Sequence, residues 1–164
     1  MDSSNPGAPP SGPAPGEPTV AAAGEEAATI GRGLVPGHAF EAFDWQVVTE
    51  EGADLVMEMQ ITPKVVNGSG ALQGGLLATL VDSVAGFCVM QGDAAGRRPA
   101  TSEMQISFLA GARVGPVRAA AHVLRRGGRS VVVRVDVRDV GADDLLVAAG
   151  TLRFALGSPD PGAG

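Results

Sequence analysis

Residues Asn67–Met90 read NGSGALQGGLLATLVDSVAGFCVM, and the only charge between Lys64 and Asp93 is Asp82. Leu76, Leu77, Leu80, Val81, Val84, Ala85, Phe87, Cys88 and Val89 spread over nearly every azimuth of a helix from about Gly74 to Met90. A helix that is apolar all round is buried. A membrane span needs ~20 such residues, but a central Asp and amphipathic strands on both sides argue against one. A lone carboxylate in such a helix is costly unless it is paired or useful.

Outside the helix the pattern changes to alternation. In ADLVMEMQI, Leu55, Met57, Met59 and Ile61 share one face, with Asp54, Glu58 and Gln60 on the other. In SEMQISFLA, Met104, Ile106 and Phe108 alternate with Glu103, Gln105 and Ser107. In SVVVRVDVRD, Val131, Val133, Val135 and Val137 alternate with Arg134, Asp136 and Arg138. A period of two with one polar face predicts antiparallel strands in a sheet covered on one side. Gly127-Gly128 within RRGGRS is a hairpin turn between two such runs. Asp44–Glu50 and Leu145–Leu156 read as further strands. The order is two strands, a long helix, then four strands. The fold class is α+β, with one helix wrapped by a curved antiparallel sheet of about six strands.

The 164 residues predict one domain. Residues 1–18 hold six Pro and three Gly, so residues 1–26 are expected to form a disordered tail. The domain is expected at 27–156, with a flexible end at 157–164. The N-terminus shows neither a basic nor an apolar leader region. The single cysteine, Cys88, allows no internal disulfide, and a cytoplasmic location is expected. A net charge of -6 argues against nucleic-acid binding but leaves room for a local basic patch. One Cys and two scattered His, His38 and His122, predict no metal site.

A strand followed by GSGALQGG and a helix suggests a dinucleotide loop. Gly68, Gly70 and Gly74 do not have its spacing, and hairpins follow instead of a βαβ unit. A phosphate loop fails because no Lys follows the glycines. Asn67, then Gln73-Gly74-Gly75, then Asp82 resembles the N…HGG…D signature of hotdog-fold acyl-CoA thioesterases of the phenylacetyl-CoA type. TSEMQISFLAGARVG, the RRGGRS hairpin and the last strand resemble the same family, and the likeness covers about residues 40–156. Gln73 departs from it, standing where the family has His.

The resemblance implies hydrolysis of acyl- or aryl-CoA thioesters, with coenzyme A as part of the substrate and no separate cofactor. It implies that Asp82 acts as general base or nucleophile, that Asn67 holds the carbonyl or the water, and that Thr101 assists the water. The helix N-terminus adds a physical reason of its own. Its backbone N–H groups are free, and Gly74 lets a ligand approach its amide, so an oxyanion site is expected there. Gln73 there either braces the loop through its amide or changes how the carbonyl is tuned. Gly75, Arg125, Arg126, Arg129 and Ser130 are expected to meet the coenzyme A portion, the arginines through its phosphates. The alternative for the arginines is a solvated turn, and for Asp82 a structural carboxylate bonded to backbone, Thr79 or Ser83.

Gly74 and Asp82 lie eight residues apart on one helix, ~12 Å at 1.5 Å per residue. They cannot both touch one thioester. If both act, they come from two chains, with helices antiparallel across a two-fold axis. The site is then expected at a dimer interface, two per dimer, and the protein is expected to be a homodimer or homotetramer. The rival functions are a non-catalytic acyl-CoA or acyl-carrier binding module, suggested by Gln73, a hydratase, disfavoured because the helix lacks a His, and a structural scaffold.

Overall fold

A computed structural model describes residues 43–93 and 95–158. The expected tail at 1–26, the domain start at 27–42 with His38, and residues 159–164 lie outside the described residues. The elements are β1 (Trp45–Val48), β2 (Leu55–Met59), α1 (Gly74–Gln91), β3 (Pro99–Phe108), β4 (Val117–Arg126), β5 (Ser130–Asp139) and β6 (Leu145–Leu156). The six strands form one open sheet in the order β1-β2-β4-β5-β6-β3. Every neighbouring pair is antiparallel. The helix packs on one face of this sheet, as the α+β expectation requires.

The core is the inward set of β1, β2, β4, β5 and β6 against one side of α1. Val131, Val133, Val135 and Val137 are fully buried, and Leu152 and Phe154 of β6 join them. From the helix come Leu77, Leu80, Val81, Val84, Ala85, Cys88 and Val89. Each such Leu or Val contributes ~1.5–3 kcal/mol when fully buried. The Gly127-Gly128 turn forms as expected, with the Gly127 N–H donating to the Ser130 carbonyl at 2.8 Å.

Three expectations change. The first strand is shorter than Asp44–Glu50, ending at Val48. Strand β2 is buried on both faces, not one. Its outer side holds Val56 in a small cluster with Val48 and Ala120, and Glu58 is buried through its ion pair with Arg118 at 2.6 Å. The helix, finally, is not enclosed on all sides. Gly75, Thr79, Asp82, Ser83, Gly86 and Met90 form a stripe that stays partly or fully exposed, at the three- and four-residue spacing of one helix face. Apolar content alone could not reveal this, because small residues such as Gly86 carry little polarity and little bulk. By length and composition α1 could also cross a membrane, but its Leu and Val side is committed to the sheet.

Candidate active site

The open face of α1 carries the one carboxylate of the helix. Asp82 is half-buried and accepts a hydrogen bond from the Thr101 hydroxyl, Oγ1 to Oδ1 2.8 Å. Thr101 sits opposite Phe154 on the inward side of β3, which aims its hydroxyl at the helix. The alternative partners do not serve Asp82 in this way. Thr79 donates instead to the Gly75 carbonyl, 2.9 Å. Thus two residues nineteen positions apart, both singled out in the sequence, meet in the structure.

One end of α1 is a tightly tied loop. Asn67 folds its side chain back, its Oδ1 accepting from the Ser69 N–H (2.9 Å), the Ser69 hydroxyl (2.7 Å) and the Ala71 N–H (3.3 Å). This is the Asx-turn chemistry of a short amide. Its carbonyl oxygen is therefore spent on the loop, and what it can offer a ligand is its NH2 group. Gly70 takes φ +75 to close the turn. Gln73 is the N-cap, and its backbone carbonyl receives the N–H groups of Leu76 and Leu77. Its side chain is exposed and makes no capping bond. The amides of Gly74 and Gly75 precede the first of these bonds, so they sit among the free donors of a helix N-terminus. No acidic side chain occupies the first turn to compete for that partial charge.

A second loop, 109–116, clamps the first. Leu72 N–H donates to the Ala112 carbonyl, 2.8 Å, and the Arg113 guanidinium donates to the Ser69 carbonyl. Asp139, fully buried at the end of β5, accepts from the backbone N–H groups of Arg113 (2.7 Å), Val114 (3.0 Å) and Gly115 (2.7 Å). Burial pushes the Asp139 carboxyl up, but the hydrogen bonds from Val114, Arg113, Gly115 and Ala142 outweigh it and hold the group below its ordinary range. The sequence analysis did not single out Asp139. The signal was present: it extends the inward register Val131, Val133, Val135, Val137 by two, which puts a carboxylate where the core should be.

The other end of α1 holds the arginines. Arg126 donates to the Val89 carbonyl at 3.3 Å, where a cation suits the helix C-terminus. Arg97 joins Asp93 at 2.6 Å and reaches the Gly128 carbonyl at 2.7 Å, tying the helix end to the hairpin. Those bonds from Arg97 hold the Asp93 carboxyl below its usual range. Arg125 and Arg129 are exposed and Ser130 is half-buried. A cavity of about 440 Å³ here is lined by Asp54, Cys88, Gln91, Gly92, Val123 and Arg126. Burial, then the charge of Asp54, pushes the Cys88 thiol up to about 11 against the opposing pull of Arg126. A thiol held that high favours its protonated form at neutral pH. Within one chain the structure thus joins Asp82 to Thr101, groups Asn67, Gln73, Gly74 and Gly75 at one helix end, and leaves the arginine hairpin at the other.

Comparison with known proteins decides what the architecture is. A family model described as the thioesterase superfamily matches residues 69–145. A Halobacterium salinarum protein provisionally named an esterase is 30% identical over 142 residues, spanning 79% of this chain and 93% of that one. The chain belongs to the thioesterase superfamily. Within this superfamily it is also similar to mouse acyl-coenzyme A thioesterase 13, 32% identical over 93 residues, which span 56% of this chain and 66% of the mouse protein. Among solved structures, a Bacillus halodurans protein with bound CoA is 29% identical, with a TM-score of 0.57 over 62% of this chain and 66% of that one. The E. coli PaaI protein shares the fold, with a TM-score of 0.64 at 21% identity over 73% of this chain and 84% of that one. The helix on an open antiparallel sheet is therefore the hotdog fold of this superfamily.

Proposed function

We propose that this protein hydrolyses acyl-CoA or aryl-CoA thioesters, releasing the free acid and coenzyme A, at two sites between the subunits of a homodimer. The observation that carries it is the Thr101–Asp82 hydrogen bond on the unenclosed face of α1. The thioester carbonyl lies on the Gly74 amide at the N-terminus of one helix. Asp82 of the second subunit either takes a proton from water as it adds to the carbonyl carbon or attacks that carbon itself. In the first route that proton passes to the departing sulfur of coenzyme A. In the second the thiolate leaves and takes a proton from solvent, and water then hydrolyses the anhydride between the acyl group and Asp82 to the free acid. Gly74 N–H stabilises the charge that builds on the oxygen. Asn67 NH2 and Gln73 stand beside it, and Thr101 keeps the carboxylate oriented.

The dimer is supported by two further features. Gly74 and Asp82 are ~12 Å apart within one helix, and the sheet ends on β3 with its inward Met104 and Phe108 45% and 57% exposed. A second copy would cover this edge and the stripe on α1 together. In each site the Gly75 turn of the subunit that supplies Gly74 and the arginine hairpin (Arg125, Arg126, Arg129, Ser130) of the subunit that supplies Asp82 meet the coenzyme A portion. Arg126 binds the helix at Val89, seven residues or ~10 Å from Asp82, within reach of a pantetheine arm. The named relatives, one an acyl-coenzyme A thioesterase and one solved with CoA, support the substrate class.

The test is thiol release from a panel of acyl- and aryl-CoA esters by wild type and Asp82→Asn. Release that falls at least ~100-fold in the variant places Asp82 in the chemistry. Binding of the esters with no release by folded wild type rejects hydrolysis in favour of the acyl-CoA binding module that Gln73 suggests.

A further inference from the structure

Phe108 is absent from the catalytic scheme, yet it is the side chain that faces Gly74. A methyl group built on Gly74 would meet the ring at 3.6 Å (Cε1) and 3.8 Å (Cζ). The ring is 57% exposed although it sits on the inward side of β3, opposite Ala148. Its place is fixed from both directions. The two residues after it, Leu109 and Ala110, both donate their N–H to the Val147 carbonyl, at 2.9 and 3.2 Å. The loop beyond them is held by Asp139 and bonded to the Gly74 loop through Leu72 and Arg113. Ring and amide are thus parts of one braced frame.

Accepting the thioesterase site proposed above, we infer that Phe108 is a specificity-determining residue that selects acyl groups unbranched at the carbon next to the carbonyl. An oxygen seated on the Gly74 amide has the Phe108 ring on its flank. The first acyl carbon must pass through the space between them. A methylene fits beside a ring edge; a second substituent on that carbon meets the ring. Removing the ring opens that space and leaves the hydrogen-bonding groups of the site untouched.

The experiment compares butyryl-CoA with its isomer isobutyryl-CoA on wild type and Phe108→Ala. One methyl placed against a hydrophobic wall is worth tenfold or more in kcat/KM. Wild type is expected to prefer the straight chain by about that factor, and Phe108→Ala to bring the ratio close to one. An unchanged ratio overturns the inference. So does an equal fall for both esters, with or without loss of the dimer, which would make Phe108 a packing residue only. Affinities for the two matching ketone analogues, with a methylene between sulfur and carbonyl, are measured alongside. If wild type turns over neither ester but binds the straight analogue more tightly, and Phe108→Ala does not, the hydrolase assignment fails and the role of Phe108 stands. If wild type does not discriminate between the analogues or the esters, the inference fails.

Discussion

In β2, Leu55, Met57 and Met59 alternate with Val56 and Glu58; in β3, Met104, Ile106 and Phe108 alternate with Glu103, Gln105 and Ser107. The two stretches carry the same period and similar residues. Strand β2 lies between β1 and β4 and is buried throughout. Strand β3 ends the sheet, and nearly all of it is exposed, including two large apolar side chains on the helix side. The period says which side chains share a face. Burial depends on how many neighbours that face receives, and this is set by strand order. The difference separates a stretch that holds the monomer together from one that the proposed site and dimer would use.

The sharpest way to break this contrast is to truncate the same residue type in both strands. Met57 is fully buried, so Met57→Ala is expected to cost ~2–5 kcal/mol of unfolding free energy, read by urea denaturation. A loss under about 1 kcal/mol would mean that β2 is not the anchor the burial implies.

Asp139 tests the frame that follows β3. Asp139→Asn keeps the shape but weakens the acceptor for three backbone N–H groups, at a cost of ~1–3 kcal/mol. Its folded carboxyl is held below the ordinary value. Its contribution is therefore present above the unfolded carboxylate pKa of about 3.9 and is lost as pH falls through the lower folded value. Wild type should lose this increment below about pH 4, while the variant lacks it at every pH. Parallel stability curves for the two proteins from neutral to acid pH would remove Asp139 from that account.

The smallest effect on the fold is expected at Met104. Met104→Ser on the exposed edge should leave monomer stability within ~0.5 kcal/mol. With the proposed dimer on this edge, it should also raise the dimer dissociation constant about tenfold or more, from the lost apolar burial, read by sedimentation velocity. Unchanged association would move the dimer contact away from β3.

Much of this was legible in the residues. The helix begins at Gly74 and ends at Gln91, one residue past the expected end, because its apolar run starts after a glycine pair and stops at Gly92. Strands β5 and β6 fall at Ser130–Asp139 and Leu145–Leu156, where alternation and a Gly-Gly turn place them. Asp82 stood out as the single charge in an apolar helix, and Thr101 through its place in the family pattern. Met104 shares the alternation that buries Met57 and Met59, yet it is 45% exposed. Phe108 and Asp139 passed as ordinary strand residues because their roles depend on contacts with Gly74 and with the 109–115 backbone, far away in sequence.

The sequence by itself determined the elements and the face each apolar residue takes, which follow from local periodicity and turn chemistry. The residues proposed for thioester chemistry came from the family pattern and the free amides of a helix start. Only the tertiary structure decided that β3 is an edge, that one side of α1 stays uncovered, and that Thr101 reaches Asp82. It alone showed that Asp139 braces the loop beside Gly74 and Phe108. Strand order and long-range hydrogen bonds arise from how elements pack, and neither leaves a mark in the period of any one segment.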